Sequence, residues 1–301
     1  MRPSIQDWVS LFVLKVAKAR RRKYAAGREG EFYAEFFSEQ DAEACAVDVR
    51  RLLRNSELQS ALSYCGKGNT VVDLGCGVGD LLRILPEDLR RIGVDLSLPA
   101  LQYARRGETA GVALVNGSLY ELPISDGAAD VVICLEVLEH LRDDGRALKE
   151  IARILRPGGR LILSVPRQFY FPEYLDLMGH WRHYTRAMAV EMLHRTGLRL
   201  ERSLRSYSRF NRCYFYVYLV LWVIAGAARH LTGRPMTLYN MRLPFDRRPF
   251  YERLAPRLLR VAKWQAASER DGEGTSTFLV AVKERDGGAE HQYPKRPNAE
   301  S

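Results

Sequence analysis

Cysteine is scarce in this sequence, and the cysteines present are not grouped. Cys45, Cys65, Cys76, Cys134 and Cys213 are scattered over 301 residues without a C-x-x-C pair. Structural zinc sites and the disulfide frameworks of small secreted proteins need cysteines at close or paired spacings. The sequence therefore indicates neither, and reduced thiols in a cytoplasmic protein fit best.

Long hydrophobic runs are lacking as well. The uncharged segment Cys213–Ala228 covers 16 residues, whereas a helix that spans a bilayer needs about 20. Its tyrosines, Trp222 and the basic residues on both sides are typical of a helix lying in a membrane interface, and a buried lid helix is the alternative. The apolar stretch Ile5–Ala17 is not typical of a signal peptide, because its positive charges follow it.

Acidic residues are too few to balance the basic ones. The chain has 46 Lys and Arg against 36 Asp and Glu, which gives a net charge of +10. Such a charge can indicate nucleic acid, an anionic membrane face or an acidic substrate, and a soluble protein that is simply rich in arginine is the alternative. Because the arginines lie beside apolar runs and no nucleic-acid-binding module is recognisable, we expect an anionic membrane surface at the inner face rather than nucleic acid.

Short apolar segments alternate with helical segments from residue 70 onward. This alternation predicts an α/β fold with a Rossmann-like, seven-stranded, mostly parallel sheet and helices on both faces. The predicted strands are Thr70–Leu74, Arg91–Asp95, Gly111–Asn116, Ala129–Leu135, Arg160–Pro166, Leu198–Arg205 and Thr275–Lys283.

The pattern also divides the chain into regions. Residues 1–44 are expected to form a helical N-terminal extension, and residues 45–284 the main domain. A hydrophobic and basic helical insertion, residues 206–272, separates strands six and seven. Residues 285–301 are polar and are expected to be a disordered tail.

A glycine-rich turn follows the first strand within VVDLGCGVGD, residues 71–80. Glycine allows a tight turn and a close approach of a ligand. A dinucleotide fingerprint would place a third glycine where this chain has Asp80, and an acidic residue there disfavours a diphosphate. Asp73 and Asp80 suit a cationic ligand instead, and Asp95 at the end of strand two suits the hydroxyls of a ribose.

These segments resemble the class I S-adenosylmethionine-dependent methyltransferases, a group that includes the ubiquinone-biosynthesis methyltransferases. The resemblance covers about residues 45–205 and strand seven. It is carried by four motifs: VDLGCGVGD at 72–80, GVDLS at 93–97, NGSLYELPISDGAADVVICLEVLEHL at 116–141, and LRPGGRLILSVP at 155–166.

The resemblance implies that S-adenosylmethionine is the cofactor, and that loop residues after the strands bind it. They are Asp73, Gly75, Cys76 and Gly77 at the methionine end, Asp95 and Leu96 at the ribose, Gly117, Ser118 and Leu119 at the adenine, and Leu135 with Glu136 near the methionine part. Many relatives have an acidic residue at the position of Ser118. A serine hydroxyl can still accept a hydrogen bond from the adenine amino group.

Two segments are candidates for chemistry. Glu136, Glu139 and His140 could bind a divalent metal, as a similar E-x-x-E-H pattern does in some ubiquinone-pathway and small-RNA methyltransferases. In metal-free relatives the pattern packs and caps, and we expect no metal here. The second segment, residues 179–185, supplies His180 or His183 as a general base, and Glu136 of the first segment is a further candidate catalytic residue. The alternative for both histidines is that they only pack next to a helix cap.

The sequence thus predicts a methyltransferase that acts on a small or lipid-linked acceptor, with methylation at oxygen. A non-catalytic, membrane-associated protein that retains the fold is one alternative, and an RNA methyltransferase is another.

Overall fold

A computed structural model describes residues 62–107, 111–167, 179–204 and 276–285, together with single helical positions elsewhere that include Arg54 and Leu58. The predicted N-terminal extension, residues 1–44, lies outside the described residues, and so does the tail beyond Arg285. The few described positions within the predicted insertion, residues 206–272, are helical.

Strands and helices alternate as the sequence pattern predicts. The strands are β1 (Thr70–Leu74), β2 (Arg90–Asp95), β3 (Val112–Asn116), β4 (Ala129–Leu135), β5 (Leu155–Pro166), β6 (Leu198–Leu204) and β7 (Ser276–Lys283). The helices are α1 (Asp80–Ile84), α2 (Leu98–Arg106), α3 (Asp144–Ile154) and α4 (Arg186–Arg195), with short 3-10 turns at Leu62–Tyr64 and Leu138–His140.

The seven strands form one sheet in the order β3-β2-β1-β4-β5-β7-β6. All pairs from β3 to β5 are parallel, whereas β7 runs antiparallel between β5 and β6. The predicted Rossmann-like, mostly parallel sheet is therefore confirmed. Strand β5 begins at Leu155, five residues before the predicted start, because the pairing with β4 continues past an irregularity between Ala129 and Val131.

Successive residues of the central strands are buried on opposite faces of the sheet, as the two-residue period of a strand requires. Val72 belongs to the core cluster that includes Leu148 of α3 and Leu193 of α4. Val71 belongs to the cluster that includes Leu82 of α1 and Leu101 of α2. Both faces are thus covered by helices, which accounts for the near-continuous apolar character of β1 and β4.

This topology brings the loops after β1, β2 and β4 to one edge of the sheet. The strand order reverses between β1 and β4, and in open α/β sheets ligands bind outside the carboxyl ends of the strands at such a point. Among the residues that the structure describes, no helix is both long and apolar enough to span a membrane.

Candidate functional site

The loop after β1 turns tightly because its glycines adopt left-handed backbone angles. The φ angles of Gly75, Gly77 and Gly79 are 70°, 53° and 75°, a region that residues with a side chain enter only at a cost. The amides of Gly75 and Cys76 both donate to the carbonyl oxygen of Val94, at 2.8 and 3.2 Å. The loop is therefore folded back onto the end of β2.

Asp95 joins two loops at the end of β2. Its Oδ2 accepts a 2.8 Å hydrogen bond from the amide of Gly77, and its Oδ1 accepts a 2.7 Å hydrogen bond from the amide of Ser97. A carboxylate has about four lone-pair sites, so each oxygen can accept a further hydroxyl proton. The side chain is thus buried and fixed, with acceptor capacity for a polyhydroxyl ligand.

Carboxylates surround the glycine-rich loop. Asp73 is buried, with 4% of its surface exposed, and Asp80 opens α1. Burial raises the pKa of the Cys76 thiol far above its ordinary value, and the nearby charges of Asp73, Asp95 and Asp80 raise the pKa further. The thiol therefore stays neutral and is no nucleophile, while the negative potential favours a cationic ligand.

The loop after β3 lies beside Asp95. The amide of Gly117 donates to the Asp95 carbonyl oxygen at 3.1 Å. Leu119 is buried, and Leu96 is 39% exposed. The hydroxyl of Ser118 accepts a 3.2 Å hydrogen bond from the amide of Tyr120, which fixes its orientation and leaves capacity for another hydrogen bond.

Glu136 follows Leu135 at the carboxyl end of β4 and has an unusual backbone conformation. Its φ is 56°, a left-handed value that is uncommon for a residue other than glycine. The amide of Glu136 donates to the Ser164 carbonyl oxygen at 3.0 Å, and its Oε1 accepts a 2.8 Å hydrogen bond from the Ser164 hydroxyl. These two bonds hold the strained residue against the end of β5.

The loop after β4 packs directly on the glycine-rich loop. A Cβ added at Gly75 would lie 2.5 Å from Cγ2 of Val137, so only glycine permits this approach. The residues that follow Val137 are consequently held at the carboxyl ends of the parallel strands, where the cofactor is expected to bind. This side of the sheet is called the cofactor edge.

Three histidines and one carboxyl group gather just beyond this contact. The ring centroid of His180 lies 4.5 Å from that of His140 and 5.1 Å from that of His183. The Nδ1 atom of His180 lies 2.9 Å from Nε2 of His183. Glu139 is fully buried, and neither of its carboxylate oxygens has a hydrogen-bond partner. Such a group is costly to bury unless something else compensates it.

Ligand atoms of Glu139, His140 and His180 all lie within 4.8 Å of one another, close enough to hold a metal ion. This set differs from the one that the sequence suggests, because His180 takes the place of Glu136. The Nδ1 atom of His140 lies 3.2 Å from the carbonyl oxygen of Gly179, so it is the protonated nitrogen in this hydrogen bond.

Comparison with known proteins supplies the family. A family model described as a methyltransferase domain matches residues 72–163. A probable S-adenosylmethionine-dependent methyltransferase of Mycolicibacterium smegmatis is 31% identical over 155 residues, which cover 50% of this chain and 60% of that protein. A ubiquinone biosynthesis O-methyltransferase of Alkalilimnicola ehrlichii is 31% identical over 172 residues, which cover 49% of this chain and 68% of that protein.

The chain belongs to the class I S-adenosylmethionine-dependent methyltransferases. The solved structure of Haemonchus contortus phosphoethanolamine N-methyltransferase 2, in complex with S-adenosyl-L-methionine, shares the fold, with a TM-score of 0.52 and 17% identity. The match covers 84% of this chain and 60% of that one. The methyltransferase spans 60% of the length of its Mycolicibacterium relative.

The methyltransferase also has an arginine at its cofactor edge that the sequence patterns do not single out. The Nη2 atom of Arg54 lies 3.5 Å from Oδ2 of Asp80, and its Nε is buried without a hydrogen-bond partner. Its charge partly offsets the rise in the pKa of Glu139 that burial causes, so Arg54 lies near both the glycine-rich loop and Glu139. Arg54 precedes β1 in a segment without a motif, so only its position in the fold reveals it.

Burial sets the protonation of the histidine cluster. Burial lowers the pKa of His140 and of His183 to about 4, and lowers that of His180 well below its ordinary value. Burial, with the nearby charge of Glu136, raises the pKa of Glu139 well above its ordinary value. The three histidine rings are therefore neutral near pH 7.

The segment that carries His180 and His183 is attached to the start of α3. Asp144 accepts a 2.9 Å hydrogen bond from the Tyr184 hydroxyl and pairs with Arg182 at 2.7 Å. The amide of Trp181 donates to the Glu139 carbonyl oxygen at 2.7 Å. These contacts fix residues 179–184 beside the loop after β4, so both predicted histidines lie next to the cofactor edge.

Proposed function

We propose that this methyltransferase transfers the methyl group of S-adenosylmethionine to an oxygen atom of a small or lipid-linked acceptor. The observation that supports the proposal is the close approach of Val137 to Gly75, because Glu139 lies two residues after Val137 and its carbonyl oxygen accepts a hydrogen bond from the segment that carries both histidines. Methyl transfer needs an acceptor held close to the sulfonium methyl, and an oxygen acceptor also needs help in losing its proton. The relative named as an O-methyltransferase supports oxygen as the acceptor atom.

The loops provide complementary groups for each part of the cofactor. Asp95 would accept the ribose hydroxyls, and Ser118 would accept a hydrogen bond from the adenine amino group. Asp73 would face the methionine ammonium, and the guanidinium of Arg54 would bind the methionine carboxylate. When bound, S-adenosylmethionine supplies an electrophilic methyl group on a positively charged sulfur.

The histidine pair is the proposed route for the acceptor proton. His180 and His183 are neutral near pH 7, so their rings can accept a proton. The hydrogen bond between Nδ1 of His180 and Nε2 of His183 allows one ring to orient the other and to share the charge that develops.

Glu139, His140 and His180 also fit a divalent metal, and with a metal bound His180 would be a ligand and His183 alone would accept the proton. A cation would compensate the unpartnered carboxylate oxygens of Glu139, and neutral imidazole is the form that binds metals. The hydrogen bond from Nδ1 of His140 to the Gly179 carbonyl oxygen is the usual support for a histidine ligand. A metal bound there would polarise the acceptor hydroxyl.

The proposal of an apolar or lipid-linked acceptor rests on the insertion. Cys213, Val217 and Val220 are helical and exposed, and their spacing places them on one face of a helix. Together with the uncharged sequence Cys213–Ala228 and its basic flanks, this face is suited to a membrane interface with anionic lipid.

Incubation of the enzyme with methyl-labelled S-adenosylmethionine and either a membrane extract or a soluble extract tests the function. We expect label in the lipid fraction of the membrane extract, and mass spectrometry of the product should place the methyl group on oxygen. His180→Ala and His183→Ala should each lower turnover and leave cofactor affinity unchanged. Full activity in both variants would remove the histidines from the mechanism, and label on nitrogen or carbon would overturn O-methylation.

The metal requires a separate test. Titration of chelator-treated enzyme with Mn²⁺ or Mg²⁺ should show one site, and Glu139→Gln should weaken it on the order of a hundredfold, because the charged ligand is lost. Glu191→Gln, an exposed change on α4, serves as the control for net charge. Equal metal binding by Glu139→Gln and the parent protein would exclude this ligand set.

A further inference from the structure

A cavity lies at the opposite edge of the sheet from the loops after β1, β2 and β4. Its volume is about 470 Å³, and its walls are formed by Arg156, Gly158, Arg160, Arg199, Val282, Lys283, Glu284 and Arg285. These residues belong to the start of β5, the start of β6 and the end of β7, which meet where the parallel strands begin. None of them takes part in the proposed methyl transfer.

The cavity walls carry an excess of positive charge. Five of the lining side chains are cationic and one is acidic. Asp130, Glu201 and Glu284 pair with Arg156, Arg160 and Arg199, at 2.6, 2.7 and 3.6 Å. Among the described residues, this leaves Lys283 and Arg285 as two positive charges in excess.

The ion pairs also fix the geometry of the cations. Glu201 holds Arg160 through two hydrogen bonds, and the guanidinium of Arg160 stacks over the ring of Tyr64 at 4.6 Å. The Nζ atom of Lys283 donates a 2.7 Å hydrogen bond to the Leu155 carbonyl oxygen. The donors therefore surround the cavity before any ligand arrives, which lowers the entropic cost of binding.

Two guanidinium groups converge on Gly158. An ideal Cβ at Gly158 would lie 3.4 Å from Nε of Arg285 and 3.9 Å from Nη1 of Arg156. Two like charges near the same glycine repel each other, and an anion bound between them would offset the repulsion. Gly158 has a φ of 76°, and its missing side chain leaves room for a ligand between the two groups.

We propose that this cavity binds a phosphate group, held by Arg156, Lys283 and Arg285. Guanidinium groups match the oxygens of a phosphate with paired donors, and three cationic side chains suit the charge of a phosphate better than the single charge of a carboxylate. Two sources share this chemistry: a soluble phosphate ester and the headgroup of a phospholipid. The site lies away from the methyl-transfer centre, so it would anchor or regulate the protein.

Calorimetric titration of the 301-residue protein with inorganic phosphate and with pyrophosphate tests the proposal. We expect pyrophosphate to bind at one site, and Arg285→Glu and Lys283→Met each to weaken it on the order of tenfold. Arg195→Glu is the matched control, because Arg195 is an exposed residue of α4 that does not line the cavity. Its affinity for pyrophosphate should equal that of the parent protein.

S-adenosylmethionine affinity should be the same in all four proteins and so shows that the variants are folded. Absence of binding, or equal binding by Arg285→Glu and the parent protein, would overturn the proposal. Vesicles of phosphatidylglycerol, compared with phosphatidylcholine, then separate the sources. If the parent protein sediments with phosphatidylglycerol vesicles and the cavity variants do not, the ligand is a lipid headgroup. If the parent and the cavity variants sediment equally, the ligand is a soluble phosphate ester.

Discussion

The main-chain amide of Gly77 donates a 2.8 Å hydrogen bond to the side chain of Asp95. The bond joins the turn after β1 to the end of β2, across 18 residues of sequence. The other oxygen of the same carboxylate accepts the amide of Ser97, so one side chain holds two loops at the proposed cofactor site. Affinity for the cofactor and the shape of the glycine-rich loop should therefore depend on the same residue.

Asp95→Asn should weaken S-adenosylmethionine binding by at least about tenfold, which corresponds to about 1.4 kcal/mol. The substituted side chain retains one acceptor oxygen. Its NH₂ group cannot accept the hydrogen bond that the second oxygen of Asp95 accepts from the amide of Gly77 or of Ser97. Calorimetry with S-adenosylmethionine measures the loss, and Glu87→Gln on the exposed turn before β2 is the control. Unaltered affinity in Asp95→Asn would show that Asp95 does not contact the cofactor.

Gly75→Ala should destabilise the fold by about 2 kcal/mol or more, because it adds backbone strain at φ 70° and a clash with Val137. Gly68 has a φ of 77° and no atom within 4 Å of an added Cβ, so Gly68→Ala should show the backbone cost alone, about 1 kcal/mol. Urea unfolding provides both values. Addition of Val137→Ala should recover part of the loss at Gly75, and a lack of any recovery would disprove the contact.

Arg54→Ala should weaken binding of S-adenosylmethionine about tenfold or more and leave binding of 5′-methylthioadenosine unchanged. The second ligand has the adenine, the ribose and the sulfur but lacks the amino acid part that Arg54 is proposed to bind. Competition binding of both ligands measures the difference. Equal weakening for the two ligands would mean that Arg54 supports the fold of the site rather than the carboxylate.

Glu150→Gln should lower stability at pH 7 by about 1–2 kcal/mol, and the difference should vanish in acid. Hydrogen bonds from Arg153 hold the pKa of Glu150 below its ordinary range, and the amide of Leu122 donates to the same carboxylate. The contribution is therefore complete above the pKa of the unfolded carboxyl, about 4.3, and is lost as the pH falls through the lower folded value.

Urea titrations of both proteins between pH 7 and about pH 2.5 cover the range in which the Glu150 carboxylate becomes protonated in the folded protein. Glu191→Gln removes an exposed pair with Arg195 on α4 and should change stability by less than about 0.5 kcal/mol at every pH. A difference for Glu150→Gln that stays constant with pH would contradict the assignment.

The sheet was largely predictable from the sequence because its strands are short apolar segments between glycine and helix signals. The bounds of β1 and β4 agree with the prediction residue for residue. The start of β5 does not, since Pro157 and the two glycines after it indicate a turn, whereas pairing with β4 extends the strand to Leu155. That pairing is a tertiary contact and is not encoded in the local sequence of β5.

The cofactor loops were predictable for a different reason. A turn such as Gly75–Gly79 depends on backbone angles that few residues adopt, so the glycines themselves mark it. The cluster of Glu139 and His180 was not predictable as a unit, because two loops about 40 residues apart in sequence come together only in the folded chain, through bonds such as that from the Trp181 amide to the Glu139 carbonyl oxygen. Arg54 was missed because nothing in its own segment distinguishes it.

Strand β7 runs antiparallel between β5 and β6, and this fixes where the chain leaves and re-enters the sheet. Leu204 at the end of β6 pairs with Phe278, and Ser276 at the start of β7 pairs with Pro166 at the end of β5. The 71 residues between β6 and β7 therefore leave and re-enter the sheet at the cofactor edge. The sheet therefore constrains only the two ends of that segment, and its length and sequence can vary without a change in the order of the strands.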